Sequence, residues 1–409
     1  LDRFAEEGVR FSQFYAGSTV CAPSRWCLMT GLHTGHARML TNKALLYPED
    51  HTVAELLKSA GYTTAGIGKW GLGGPGTAGL PNDRGFDHWF GYLDQTAAHD
   101  YYPEYLWRNR EMCRIEANAE GQRGAYSHDL FTEEALDFIR SNRHFPFFLY
   151  LAHKDPHLPC LPSEKFKGAS EGGPHGDAVQ EVDWSVGRIL DCLKRNGLDR
   201  NTLVIFTSDN GPWFDGSPGG LRGRKGQCFE GGSRVPMIAR WLGRIPAGSV
   251  CREASMNIDF FPTILALAGL EAPSDRMVDG KSLWPLLSGK SKKSPHEELY
   301  FFHYNEIEGV REGRWKYFRS ISNRAWPIPL DKPGTFVANA AAGRDYKPEG
   351  SDISVPTMGS WPILYNMELD AGESYNVIKK YPGVGKKLLS KIESFEQSFY
   401  KNPRGWRKS

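Results

Sequence analysis

From about residue 50 to residue 270 the chain alternates between helical periodicity and short, wholly apolar runs, and this alternation constrains the fold more than any other feature. Residues 52–60 read as a helix, with Thr52 and Glu55 forming a capping box and Gly61 ending it. The run 63–67 then reads as a strand. Residues 127–142 are helical by composition and lead into the apolar run 147–152. Val179, Val182, Val186, Ile189, Leu190 and Leu193 mark one face of a long helix closed by Gly197, ahead of a strand at 203–207. Residues 237–241 read as another strand and 258–268 as another helix, with Pro262 tolerated in its first turns. Apolar strands separated by helices predict an α/β fold whose large, mostly parallel sheet is covered on both faces. Ligands of such sheets bind outside the carboxyl ends of the strands. The residues to inspect are therefore Lys69, the stretch 153–157, and Asp209-Asn210.

The character changes after the Lys- and Ser-rich stretch 288–294. Short strands are expected at 299–303 and 315–318, a long loop over 326–362, and a last helix over 384–400. This divides the chain into residues 1–295 and a smaller α+β part, residues 296–409, without internal repeats. Lys plus Arg number 50 against 48 Asp plus Glu, so nothing points to nucleic acid or an anionic membrane as a partner. No apolar run is long enough to span a bilayer. The 7 cysteines show no CxxC spacing and give no basis for a thiolate zinc site. An amphipathic helix already under way at Leu1 suggests a fragment or a processed chain.

A lone cysteine is usually a buried small hydrophobe, but Cys21 stands in Cys21-Ala22-Pro23-Ser24-Arg25, followed by Met29-Thr30-Gly31. This run resembles the maturation signature of the sulfatase family. The resemblance extends over essentially the whole chain, from the helix and strand before the signature to residues 365–373. It implies an alkaline-phosphatase-like sandwich with a large mixed sheet, plus a smaller C-terminal antiparallel sheet and helix. It also implies that a formylglycine-generating maturation enzyme oxidises Cys21 to an aldehyde. The hydrate of that aldehyde carries two hydroxyls on one carbon, one to attack sulfur and the other to expel sulfate.

The same resemblance assigns further roles. Arg25 would hold the hydrate, a task suited to a permanently charged planar fork. Lys69, in Gly68-Lys69-Trp70, and Lys225, in 221–226, would contact the sulfate, and His157, ahead of Leu158-Pro159, would do so as well, in the segment expected to supply the proton that a leaving alkoxide needs. Alone, either lysine reads as a solvated surface charge. Arg222, Arg224 and Arg234 read as structural, and His153 as a loop or core histidine. Asp209-Asn210-Gly211 reads equally as an Asx turn or as oxygen donors. The family's Ser-Asp-Asn-Gly run makes Asp209 and Asn210, with residue 21, ligands of Ca2+, or alternatively Mg2+.

Two departures from the family pattern stand out. Many sulfatases carry a histidine two residues after the pocket lysine, where this chain has Gly71; His99, in Ala98-His99-Asp100, offers an imidazole instead. The family's first two metal-binding aspartates lie on a strand upstream of residue 1, so Asp209 and Asn210 alone make a poor divalent site. The expected substrates are aryl or carbohydrate sulfates, and the aromatic stretch 101–107 suits either sugar stacking or packing. A phosphate or phosphonate monoester hydrolase of the same fold, and a non-catalytic protein that binds sulfated glycans, are the alternatives. By resemblance the compartment is the periplasm or the exterior, and the absence of any Asn-x-Ser/Thr sequon fits a bacterial protein.

Overall fold

The computed structural model describes residues 1–37, 41–43, 45–303, 306–321 and 362–403. The long loop expected at 326–362 lies outside the described residues, apart from its last position.

A short helix, α1 (Asp2–Glu6), leads into β1 (Val9–Tyr15), whose end delivers the chain to α2 (Cys21–Thr30). The capping box read from the sequence is present. Glu55 N–H donates to Thr52 Oγ1 at 3.1 Å, Thr52 N–H donates to Glu55 at 2.8 Å, and together they start α3 (Val53–Ser59). Next come β2 (Thr63–Lys69), β3 (His88–Tyr92) and the hairpin of β4 (Tyr105–Arg108) with β5 (Glu111–Arg114). Helix α4 (Ser127–Ser141) precedes β6 (Phe147–Ala152), and α5 (Gly173–Arg195) precedes β7 (Val204–Thr207). Helix α5 begins several residues before its apolar face does, because Pro174 is accommodated in the first turn.

The strand at 237–241 is longer than the sequence suggested, running as β8 (Arg234–Arg240) from the one-turn helix α6 (Glu230–Ser233). Strands β9 (Ser249–Cys251) and β10 (Ser255–Met256) follow. A 3-10 turn at Asn257–Asp259 then opens α7 (Phe260–Leu267), and α8 (Trp284–Leu287) closes this part. The remainder is a four-stranded antiparallel sheet of β11 (Glu298–His303), β12 (Glu306–Glu312), β13 (Trp315–Phe318) and β14 (Ile363–Asn366). Helix α9 (Pro382–Lys401) lays Leu388 and Ile392 against Phe302, Val310, Tyr317 and Leu364 of that sheet.

Parallel and antiparallel pairs mix in the larger part, whose strands form two five-stranded blocks. One has the order β5-β4-β3-β2-β6, with β3-β2-β6 parallel. The other has β10-β1-β8-β7, with β9 also on β1. Among the described residues β6 pairs only with β2, and β7 only with β8. Both strands line a cleft of about 2290 Å3, together with Val182, Val186, Ile189 and Leu193 of α5. Their side chains are half-buried throughout, whereas β2 is buried from Thr64 onward.

A buried ionic cluster joins the C-terminal sheet to the larger part. Lys316 on β13 lies 2.7 Å from Glu230 and 2.9 Å from Glu373. Tyr15 donates to Glu230 at 2.9 Å, and Arg311 donates to the Tyr15 hydroxyl. The Lys316 and Glu230 side chains are fully buried, so removing one partner leaves an uncompensated charge. Lys316→Met should therefore lower unfolding free energy by about 3–5 kcal/mol, read as an earlier urea midpoint. A loss under about 1 kcal/mol would place the cluster with exposed pairs, which contribute little.

Candidate active site

Cys21 is the first residue of α2, and the geometry there follows from the sequence. Gly17 lets the incoming chain pack against Asn257 and Cys27, where a Cβ would meet Asn257 Oδ1 at 2.4 Å. Pro23 sits in the first turn, where its missing N–H is no loss. The helix is buried almost throughout, with Trp26, Cys27 and Met29 at 0% exposure, and Gly31 closes it with φ 70°. Cys21 is thus fixed at a helix N-terminus, where the backbone dipole favours negative charge.

Three cations converge on it. Lys225 Nζ donates to Cys21 Sγ at 3.0 Å. Its loop is held by Lys225 N–H to Pro212 O at 3.0 Å and Gly226 N–H to Thr19 O at 2.9 Å. Lys69, the last residue of β2, is buried, and its ammonium makes no hydrogen bond among the described residues. Arg25, one helical turn after Cys21, donates to Lys69 O at 3.1 Å and to Gln95 Oε1 at 2.5 Å. Burial alone would push the Cys21 thiol up, but Lys225, Lys69 and Arg25 together outweigh it and bring it down to about 6. Burial, with Arg25 and Lys225 nearby, lowers Lys69 to about 8 against the pull of Cys21. Such a set of fixed donors, with one ammonium lacking a hydrogen bond among the described residues, is built to receive an anion.

The histidine segment after β6 completes the wall. His157 Nε2 lies 3.1 Å from Lys225 Nζ, and its Nδ1 lies 3.0 Å from Leu158 O. The Tyr101 hydroxyl donates to His157 O. Burial first, then Lys225 and Lys69, holds the His157 imidazole well below its ordinary pKa, so it is neutral. His153 belongs to the core instead, stacked on His128 at 4.1 Å with Nε2 3.2 Å from Ser185 Oγ. Arg222 donates to the Tyr365 hydroxyl and to Glu373 O, and Arg224 to Trp213 O and Gly216 O. Lys225, His157, Lys69 and Arg25 line the cleft between the sheet blocks; Cys21 lies behind them, 2% exposed.

At Gly71 no side chain fits. Its φ is +69°, and a Cβ there would meet Gln95 Oε1 at 2.4 Å and an Arg25 nitrogen at 3.1 Å. Gln95 thus takes the space a histidine at 71 would need. Nothing in the local sequence marks Gln95, because its contact with Arg25 depends on how β3 pairs with β2. His99 does reach the site: its ring stacks on His157 with centroids 4.5 Å apart and planes 15° apart.

Asp209 and Asn210 follow β7. Asp209 Oδ2 lies 4.0 Å from Arg25 Nε, and burial followed by the Cys21 charge raises its carboxyl pKa despite the nearby cations. Asn210 Nδ2 donates to Gly211 O, while its Oδ1 is buried and has no partner among the described residues. Among the described residues no group of three or more His, Cys, Asp or Glu gathers in metal-binding geometry.

Comparison with known proteins identifies the family. The Sulfatase family model matches residues 1–270, and that for the C-terminal part of N-sulphoglucosamine sulphohydrolase matches residues 224–324. The chain is 35% identical to N-acetylgalactosamine-6-sulfatase of Mus musculus, over 92% of this chain and 76% of the relative. It is 32% identical to human arylsulfatase A, over 97% and 81%. A structure solved in work on glycosaminoglycan metabolism by Bacteroides thetaiotaomicron superposes with a TM-score of 0.79 at 26% identity, over 97% of this chain and 93% of that one. The chain therefore belongs to the sulfatase family, with its alkaline-phosphatase-like fold, and is a sulfuric ester hydrolase.

Proposed function

We propose that the chain hydrolyses sulfate monoesters of carbohydrates, with aryl sulfates as simpler substrates, at the pocket formed by residue 21, Arg25, Lys69, His157 and Lys225. The observation that carries this reading is the buried ammonium of Lys69 beside Cys21 and Lys225, without a hydrogen-bond partner among the described residues. A desolvated cation without a partner is costly unless a ligand anion completes it. Carbohydrate is favoured as the organic half by the name of the N-acetylgalactosamine-6-sulfatase relative and by the glycosaminoglycan context of the Bacteroides structure.

Converted to formylglycine by a maturation enzyme, residue 21 would supply as its hydrate two hydroxyls on one carbon, one to take up sulfate and one to expel it. Lys225, already a donor to the residue 21 side chain, stabilises a deprotonated nucleophile there. Lys69 neutralises charge on the sulfate oxygens. Arg25 fixes the floor of the pocket through Lys69 O and Gln95. His157, neutral and 3.1 Å from Lys225, orients that ammonium.

For a divalent cation the same reading assigns Asp209, Asn210 and residue 21, with Ca2+ favoured over Mg2+. The buried Asn210 Oδ1, without a partner among the described residues, supports it. Calcium takes 6–8 oxygens, and two such residues with residue 21 fall short of that set. The division into residues 1–295 and 296–409 and a periplasmic or secreted location belong to the same reading. No described helix is long and apolar enough to cross a membrane.

Turnover of 4-nitrophenyl sulfate against 4-nitrophenyl phosphate tests the function. Sulfate should be preferred, Cys21→Ala should abolish activity, and Lys225→Met should lower kcat/KM by roughly 10²–10³-fold. A preference for phosphate would favour the phosphomonoesterase alternative, and no turnover of either ester the glycan-binding one. Calcium titration followed by thermal shift should give weak binding, on the order of 10⁻⁴–10⁻³ M, that Asp209→Asn removes. Binding unchanged by Asp209→Asn would move the site elsewhere.

A further inference from the structure

Residues 211–220 form neither helix nor strand and consist of Gly, Ser, Pro and Asp, apart from two adjacent aromatic residues, Trp213 and Phe214. The two rings meet edge to face, with centroids 4.9 Å apart and planes at 87°. Arg224 holds them in place. Its guanidinium donates to Trp213 O at 2.9 Å and to Gly216 O at 2.6 Å, and lies 5.1 Å from the centre of the Phe214 ring. Next to Arg224 comes Lys225, whose N–H donates to Pro212 O at 3.0 Å. Trp213 follows Pro212 directly, about 3.8 Å further along the backbone. The aromatic pair and the ammonium that touches Cys21 Sγ therefore belong to one hydrogen-bonded unit.

Trp213 is half-buried and lines the same cleft as Lys69, His157 and Lys225, and so do Asp215 and His175. Asp215 is exposed. His175 stands in the first turn of α5, so close to the loop that a Cβ on Gly216 would meet its Nε2 at 2.8 Å. An aromatic ring is thus set beside a carboxylate and an imidazole, next to the anion pocket. This combination has a definite complement. A pyranose offers a face of C–H groups that packs on an aromatic ring, and a rim of hydroxyls that need donors and acceptors. A purely apolar ligand would use the ring but leave Asp215 and His175 without partners as water is displaced.

Resting on the sulfatase reading above, we propose that Trp213, Asp215 and His175 form a subsite for a second sugar ring, adjoining the one that bears the sulfate, so that sulfated oligosaccharides are preferred over monosaccharide sulfates. Trp213 packs against the face of that ring, and Asp215 and His175 bond its hydroxyls. Burial lowers His175 below the ordinary histidine range against the pull of Asp215, so the neutral imidazole offers one N–H and one acceptor. Phe214, edge to face with Trp213 and beside the Arg224 guanidinium, braces the indole rather than the sugar. The second ring does not react. Because it is bound on the loop that carries Lys225, its binding energy aligns the sulfate beneath the cations, and a substrate lacking it loses kcat as well as affinity.

Sulfated disaccharides from chondroitin 6-sulfate, heparan sulfate and carrageenan, each set against the sulfated monosaccharide it contains, test this, with 4-nitrophenyl sulfate as the reference. In wild type the best disaccharide should exceed its monosaccharide in kcat/KM by roughly 10–100-fold, the range expected for one well-packed aromatic contact. In Trp213→Ala the loss on that disaccharide should exceed the loss on 4-nitrophenyl sulfate by a similar factor, and Trp213→Phe, which keeps a ring, should restore part of it. A residue that only supports the loop would lower all substrates alike. Equal losses on the disaccharide and on 4-nitrophenyl sulfate overturn the subsite, and so does a wild type that turns over 4-nitrophenyl sulfate but favours no disaccharide over its monosaccharide. If wild type hydrolyses none of these esters, the sulfatase reading itself fails and the subsite falls with it.

Discussion

The ammonium of Lys225, held between the sulfur of Cys21 and the imidazole of His157, is the contact on which the rest of the site depends. It brings together three chain segments that the fold delivers separately: the start of α2, the turn after β6 and the loop before α6. Lys69 and Arg25 add two more cations, with the half-buried Asp209 carboxylate close by. Like charges gathered out of water oppose folding. The arrangement stores an attraction for an anion that the surrounding protein must hold in place.

The C-terminal sheet supplies part of that restraint. Arg222, three residues before Lys225, is tied to the Tyr365 hydroxyl and to Glu373 O, and Glu230 N–H donates to Glu373 Oε2 at 2.7 Å. The loop carrying Lys225 is therefore clamped at both ends by residues of the smaller part. Lys316 bridges the two carboxylates so gathered, and this explains why a fully buried lysine belongs on β13. Through this clamp, packing remote from the pocket sets the position of an ammonium within it.

Much of this was legible in the sequence, and the reason differs from residue to residue. The box of Thr52 and Glu55, the helix ending near Gly197 and the apolar runs of β6 and β7 are local patterns, set by neighbours a few residues apart. Cys21, Lys69, His157, Lys225 and Asp209 were singled out by motif context, and the structure brings them into one pocket. Gln95 and His99 were harder. Their contacts with Arg25 and His157 span 70 and 58 positions, and arise only once β3, β2 and β6 lie side by side. The same limit applies to strand pairing. Periodicity identified β6 and β7 as strands but carried nothing about the cleft between them, because an edge left unpaired among the described residues leaves no local mark. The Glu373 clamp was illegible for a similar reason: a glutamate after Asp-Ala-Gly looks like a turn residue until Lys316 is seen beneath it.

The central claim is that residue 21 is presented, at a helix start and under three cations, as a nucleophile made by oxidation. Mass spectrometry of the peptide containing Cys21, from protein produced together with a formylglycine-generating enzyme, tests this most directly. The account predicts a peptide lighter by the difference between a thiol and an aldehyde, trapped by a carbonyl reagent, with aryl sulfate turnover rising in proportion to the converted fraction. An unmodified thiol in protein that turns over sulfate esters at full rate would contradict it.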